Sequence, residues 1–248
     1  MRSGKAFRRV ASGRCGRPET PHTAFTLMEL LVVMGILSLL MAILLPALDA
    51  AKRQARETCC TGNMRQIGMA ANIYSQDYSM FIPRGAQDSN GIWFRLYMPY
   101  LAQKPVEGDY RSVTIYRCPA YPSRKQTICY VVNGWAFLGE RDTTGYETAE
   151  PTKLSTCRRR AETIYLADNE NGWWRQIINS SDDEGLDRCD VWNATHLPGS
   201  DFEDLMFGRR VARNRHGRGA NCLYADWHVG HVAARDMTPD MWRFHTRR

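Results

Sequence analysis

The sequence predicts an α+β fold in which a long N-terminal helix packs on a C-terminal antiparallel β-sheet. Three observations predict it. Residues 25–48 are apolar except for one charge, and residues 49–80 continue in helix-forming composition. Beyond Pro83 the chain turns to Gly, Pro, aromatics and short β-prone runs. Of the 248 residues, about 200 follow the apolar run, enough for one core of ordinary size. The expected organisation is a basic leader (1–24), a membrane half of the helix (25–48), its amphipathic continuation (49–80) and one globular domain (81–248).

The first element is "AFTLMELLVVMGILSLLMAILLPAL", residues 24–48, with Glu29 as its lone charge. As a helix, residues 25–48 span about 36 Å, enough to cross a bilayer core. Arg2, Lys5, Arg8, Arg9, Arg14 and Arg17 precede it against one acid, Glu19. That bias predicts a single pass with the N-terminus cytoplasmic and the remainder across the membrane. A cleaved signal peptide would be shorter, uncharged and followed by a small-x-small site. A plain signal anchor accounts for the length but not for Glu29, which weakens insertion. A buried core helix would not need the Arg-rich flank.

The second element is "DAAKRQARETCCTGNMRQIGMAANIYSQDY", residues 49–78, rich in good helix formers. Ala51, Ala55, Cys59, Met64, Ile67, Ala71 and Tyr74 fall roughly on one face, the expected packing stripe, and "TGN" at 61–63 bends the helix without ending it. Then "GIWFRLYMPYL" (91–101) reads as a helix. "SVTIYRCP" (112–119), "QTICYVVNGW" (126–135), "AETIYLADN" (161–169) and "ANCLYADWHVGHV" (220–232) read as strands. The polar stretch 170–215 reads as a surface insertion.

Quoted residues of the first element resemble the N-terminus of type IV prepilins and type II secretion pseudopilins. In that family a basic leader is cut just before Phe, the new amine is methylated, and a glutamate stands at the fifth mature position. The matching positions are a cut between Ala24 and Phe25, N-methylation of Phe25, and Glu29 as the assembly residue. Pro46 falls where many pilins carry a helix-kinking proline. The departure is Ala24, which stands where the family usually has glycine. The downstream motifs "CCTGNMRQIGMAANIYSQDY", "RCPAYP", "CYVVNGW", "ETIYLADNE" and "RHGRGANCLYADWHV" resemble a group of prepilin-type proteins ending in His, nine residues, Asp-Gly. His216 and Asp226 have that separation, with Trp227 in place of the glycine.

The resemblance implies a pilin-like fold and a structural subunit, not an enzyme, in a pilus or secretion pseudopilus. It implies as partners a prepilin peptidase, other pilin or pseudopilin subunits, the inner-membrane assembly machinery and the membrane itself. It places the chain in a bacterial inner membrane with a periplasmic domain, or in an extracellular fibre. The alternative is a signal-anchored extracytoplasmic protein that binds a metal or carbohydrate and does not polymerise. Trp173 and Trp174 would then be a sugar-binding candidate, although aromatics more often fill the core.

Nucleic acid is not an expected partner. The first 24 residues supply five of the seven excess positive charges, so the rest is nearly balanced. The Arg clusters at 158–160, 209–218 and 243–248 read as solvated surface. Catalytic signatures are lacking, with no G-x-S-x-G, H-E-x-x-H or phosphate-cradling loop.

Two further sites are candidates. Cys118 and Cys129 bracket "CPAYPSRKQTIC", a loop short enough for a disulfide in an oxidising compartment. His216, Asp226 and Asp168 are candidate metal ligands. Imidazole with carboxylates suits zinc, and an oxygen-only set of Asp168, Asn169, Glu170 and Asp226 suits calcium, which some major pseudopilins bind. The competing expectation is that His216 hydrogen-bonds Asp226 and pins the last hairpin without a metal. The acidic run 182–184 lacks the regular spacing of an EF-hand.

Overall fold

A computed structural model of the chain describes residues 25–85, 91–106, 110–148, 150–175 and 188–244. The leader 1–24, with Ala24, and the acidic run 182–184 lie outside the described residues. The chain divides into two compact units, Met1–Leu48 and Asp49–Arg248. Helix α1 (Leu27–Asp77) contributes residues to both, with Pro46 inside it.

In the first unit, α1 is apolar around its whole circumference, and Phe25, Leu27, Met28, Leu31, Ile36, Leu40 and Leu44 are all exposed. It is long and apolar enough to cross a membrane.

The second unit is built on a mixed five-stranded sheet. The strands of the unit, in this sheet and two small pairs beside it, are β1 (Phe81–Ile82), β2 (Tyr130–Asn133), β3 (Trp135–Ala136), β4 (Tyr146–Glu147), β5 (Thr152–Lys153), β6 (Ile164–Asp168), β7 (Asp190–Val191), β8 (Gly219–Tyr224) and β9 (Val229–Ala233). The main sheet runs β7-β2-β6-β8-β9, while β1 pairs with β5 and β3 with β4. All its pairings are antiparallel except β2 with β7, which is parallel. The expected antiparallel sheet is present with one parallel pair at its edge; the long excursion after β6 lets the chain return alongside β2 in that sense.

Side chains alternate across this sheet, as a period of two requires, except at the register shift between Ile164 and Leu166, which turns Tyr165 and Leu166 to the same face. Tyr130, Val132, Tyr165, Leu166 and Leu223 join a core with Met64 and Ile67 of α1. Val131, Ile164, Ala167, Ala220 and Cys222 join a second core with Trp242 on the other face. Burying a side chain such as Met64 or Ile67 contributes about 1.5–3 kcal/mol.

The packing stripe of α1 is Cys60, Met64, Ile67, Ala71 and Tyr74, with Gly68, Ala70 and Ser75 beside it. The expected stripe was right from Met64 onward, one residue off at Cys59, and extended too far back, since α1 buries no residue before Cys60. Ala51, Ala55 and Cys59 are exposed, and Cys60 is the buried thiol. Stepping back from Met64 by one turn reaches residue 60, whereas Cys59 lies five positions away and off the face. At Gly68 an added Cβ would sit 2.9 Å from Leu223 Cδ1, so glycine permits the close approach of α1 to β8.

Other expectations change as well. Residues 112–119 form no strand: Tyr110–Ser112 and Thr114–Tyr116 are short 3-10 turns. The helix expected over 91–101 reduces to α2 (Trp93–Leu96) and a 3-10 turn at Met98–Tyr100, where Pro99 has no N–H to continue the ladder. The Arg clusters are not all solvated. Arg209, Arg210 and Arg243 are buried, and Arg210 Nη1 lies 2.5 Å from the equally buried Asp190. The stretch 170–215, where described, is therefore part of the packed domain, tied in by buried ion pairs rather than apolar periodicity.

Candidate functional site

Two regions carry functional groups, one in each unit. In the first unit the N-terminus of α1 is closed by Thr26 and Glu29. Glu29 Oε2 accepts from Thr26 N and Thr26 Oγ1, each at 2.9 Å, and Glu29 N donates to Thr26 Oγ1 at 3.2 Å. This is a capping box, in which two side chains satisfy backbone donors that the first helical turn leaves without partners. Glu29 is fully exposed within the apolar segment and sits one turn from Phe25.

In the second unit four side chains from distant parts of the chain converge. Cys60 comes from the buried face of α1, Cys118 from the turn after Thr114–Tyr116, Asp168 from the end of β6, and His216 from the bridge that precedes β8. Their ligating atoms all lie within 4.8 Å of one another. Cys60 Sγ is 3.3 Å from Asp168 Oδ1, Cys118 Sγ is 3.3 Å from His216 Nε2, and His216 Nε2 is 3.6 Å from Asp168 Oδ2. None of the four is more than 4% exposed.

The sheet register explains the position of Asp168. It pairs with Tyr130 across β2 and lies two residues beyond Leu166, so it faces the α1 side of the sheet. Across β8 its neighbour is Asn221, whose backbone N–H donates to Asp168 Oδ2 at 2.8 Å. Tyr130 Oη stands 3.7 Å from Cys60 Sγ. The Asn221 side chain is buried on this row, and its Oδ1 and Nδ2 have no hydrogen-bond partner among the described residues.

Proximity shifts every group in the cluster. The hydrogen bond between the two thiols raises Cys60 and, with burial and the Asp168 charge adding to the effect, leaves it the protonated partner. The same bond, helped by His216 and opposed by burial, lowers Cys118 to about 5. Burial and the Cys118 charge push Asp168 up to about 7. Burial alone would lower His216, but Cys118 and Asp168 together raise it.

The structure brings together His216 and Asp168 from the expected metal set, and not Asp226. Asp226 lies exposed in the β8–β9 turn, where its Oδ1 is 2.6 Å from His228 Nδ1. His216 therefore does not pin that hairpin through Asp226. The oxygen-only set is dispersed too: Glu170 Oε2 accepts from Arg209 Nε at 2.7 Å, and Asn169 Oδ1 accepts from Arg175 Nη2 at 2.8 Å. Cys118 and Cys129 are both free thiols, with Cys118 committed to the cluster. Of the tryptophan pair, Trp174 is buried and donates to Arg209 O, while Trp173 is exposed. Sequence reasoning missed Cys60 and Cys118 as members of this cluster; the helical phase 60, 64, 67, 71, 74 was the signal that could have found the first.

Residues 49–110 match the model of a family described as a protein of unknown function (DUF1559). No curated protein matches the chain, and no solved structure does.

Proposed function

We propose that the chain is a membrane-anchored, pilin-like structural subunit. In this reading it is cleaved between Ala24 and Phe25, methylated at Phe25, and assembled through α1 into a type IV pilus or type II secretion pseudopilus. The observation that carries this is the apolar segment 25–48, exposed along its whole length with Glu29 as its sole charge. A carboxylate in a hydrocarbon-facing helix is costly unless a cation neutralises it. The terminal ammonium of Phe25 in a second copy has that charge, and pairing it with Glu29 would set the stagger between subunits. The match of residues 49–110 is compatible with a pilin-like surface protein. The partners this requires are a prepilin peptidase, further pilin or pseudopilin subunits and an inner-membrane assembly machinery.

Mass spectrometry of the mature N-terminus tests the reading, with N-methyl-Phe25 the expected result. Membrane insertion and fibre or multimer formation are then compared for the native chain and Glu29→Gln. The substitution is expected to leave insertion intact and abolish assembly. An uncut leader, or assembly indifferent to the substitution, would overturn it.

A further inference from the structure

We propose that Cys60, Cys118, Asp168 and His216 form a closed four-ligand site for a zinc-class transition metal ion, which clamps α1 to the sheet. This goes beyond the assembly reading and does not depend on it.

Geometry is the first support. Tetrahedral zinc with sulfur at about 2.3 Å and nitrogen or oxygen at about 2.0–2.2 Å has ligand–ligand edges of about 3.3–3.8 Å. The three edges measured here are 3.3, 3.3 and 3.6 Å. The remaining separations also fall within 4.8 Å, so a small inward movement completes the polyhedron. A hydrogen-bonded chain needs only successive neighbours in contact. Here all four ligating atoms are mutually close around one centre.

Donor chemistry is the second support. Two thiolates with one imidazole exclude calcium and magnesium, which take oxygen ligands. Sulfur and nitrogen donors in a four-coordinate arrangement select zinc over harder ions. With four protein ligands the site leaves no open position, which suits a structural ion rather than a catalytic one.

The surroundings are the third. A ligating carboxylate is normally held by an outer hydrogen bond, and Asn221 N–H supplies it to Asp168. The Asn221 carboxamide, 1% exposed and without a hydrogen-bond partner among the described residues, adds a polar wall beside Asp168. The ligands are drawn from positions 60, 118, 168 and 216, so one ion would join α1, the segment after α2, β6 and the approach to β8. Binding displaces to solvent whatever protons the ligating atoms still hold, the Cys60 proton among them, as the two Zn–S bonds form, with no change of oxidation state. It also holds both thiols in a form that does not pair oxidatively.

The test uses the full-length chain in detergent, purified under reducing conditions with zinc present and then dialysed against metal-free buffer. Elemental analysis is expected to find one zinc ion per chain. Cys118→Ser and His216→Ala are expected to lose it, while Asp226→Asn, at the exposed turn, retains it. The native chain provides a readout independent of variant folding. Cobalt substitution should give the visible d–d bands and the thiolate charge-transfer band of a tetrahedral site, and zinc should shield Cys60 and Cys118 from alkylation. A folded native chain that takes up neither zinc nor cobalt overturns the proposal. So does peptide mapping that finds Cys60 and Cys118 joined as a disulfide in metal-supplemented protein.

Discussion

Glu29 and Thr26 cap α1 reciprocally, each side chain accepting a hydrogen bond from the other residue's backbone N–H. Glu29 thus has a local task besides the docking charge proposed for it, and two substitutions separate the tasks. Glutamine also serves at the third position of a capping box, so Glu29→Gln keeps the cap and removes the charge. Thr26→Ala removes the cap at a cost of about 1 kcal/mol in helix stability and keeps the charge. We expect assembly to fail in Glu29→Gln and persist in Thr26→Ala, read by sedimentation of sheared fibres or by cross-linking in membranes. The reverse pattern would make Glu29 a capping residue only.

Adjacent thiols on α1 should differ sharply in reactivity. Cys59 is exposed and Cys60 is wholly buried. A brief pulse of maleimide on the native chain, followed by peptide mapping, should modify Cys59 well before Cys60. Equal labelling would mean that the buried face of α1 is rotated from the phase described here.

That pair also shows where the sequence was legible. The long helix was readable from its apolar run at 27–48 and the helix-forming residues after it, and the strands at 164–168 and 219–224 from their short β-prone runs. The cluster was not, because its ligands come from four segments that only the strand register and the helix phase bring together. A one-residue error of phase exchanged Cys59 for Cys60 and hid the first ligand. At 227 the motif favours glycine and the chain has tryptophan, yet the tight turn is present, with Trp227 at φ +74°. A left-handed conformation costs a bulky residue roughly 1–2 kcal/mol. The T-shaped contact of Trp227 with Tyr165 and its bond to Asn72 Oδ1 at 3.2 Å offset that cost. The buried arginines were misread because residue type alone says nothing about partners: Asp190 and Glu170 make burial of Arg210 and Arg209 tolerable.

Gly68→Ala should loosen the seam between α1 and β8. Alanine is the better helix former by about 1 kcal/mol, so an exposed glycine would gain from the change. Here the new Cβ meets Leu223 Cδ1 at 2.9 Å, and overpacking costs about 1–3 kcal/mol. We expect a net loss of stability in chemical denaturation, partly restored by Leu223→Val. An unchanged or raised midpoint would show that Leu223 moves aside freely.

Arg210→Met should be among the most damaging single changes in the second unit. It removes the guanidinium from Asp190 and leaves a carboxylate of zero exposure without that partner. Breaking a buried pair from one side costs about 3–5 kcal/mol. Changing Asp190→Asn together with Arg210→Met should recover much of the loss, because no uncompensated charge then remains. If the double variant is no more stable than the single one, the pair is not the energetic unit supposed here.

His196 should steepen the acid limb of stability. It is buried, and burial with the nearby Arg210 and Arg175 charges lowers it to about 2 in the folded chain. Asp190 is the acid paired with Arg210. In the unfolded chain the imidazole takes up a proton near its ordinary value of about 6.5. Above that value both states are neutral and nothing is lost. As the pH falls below it, only the unfolded state gains a proton, so stability declines by up to about 1.4 kcal/mol per pH unit toward the folded value. His196→Asn keeps an acceptor for Trp192 N–H, which His196 Nδ1 now binds at 3.3 Å. The variant should show a shallower fall in urea midpoint between about pH 6.5 and pH 5. Parallel curves for the two proteins would place the acid sensitivity elsewhere.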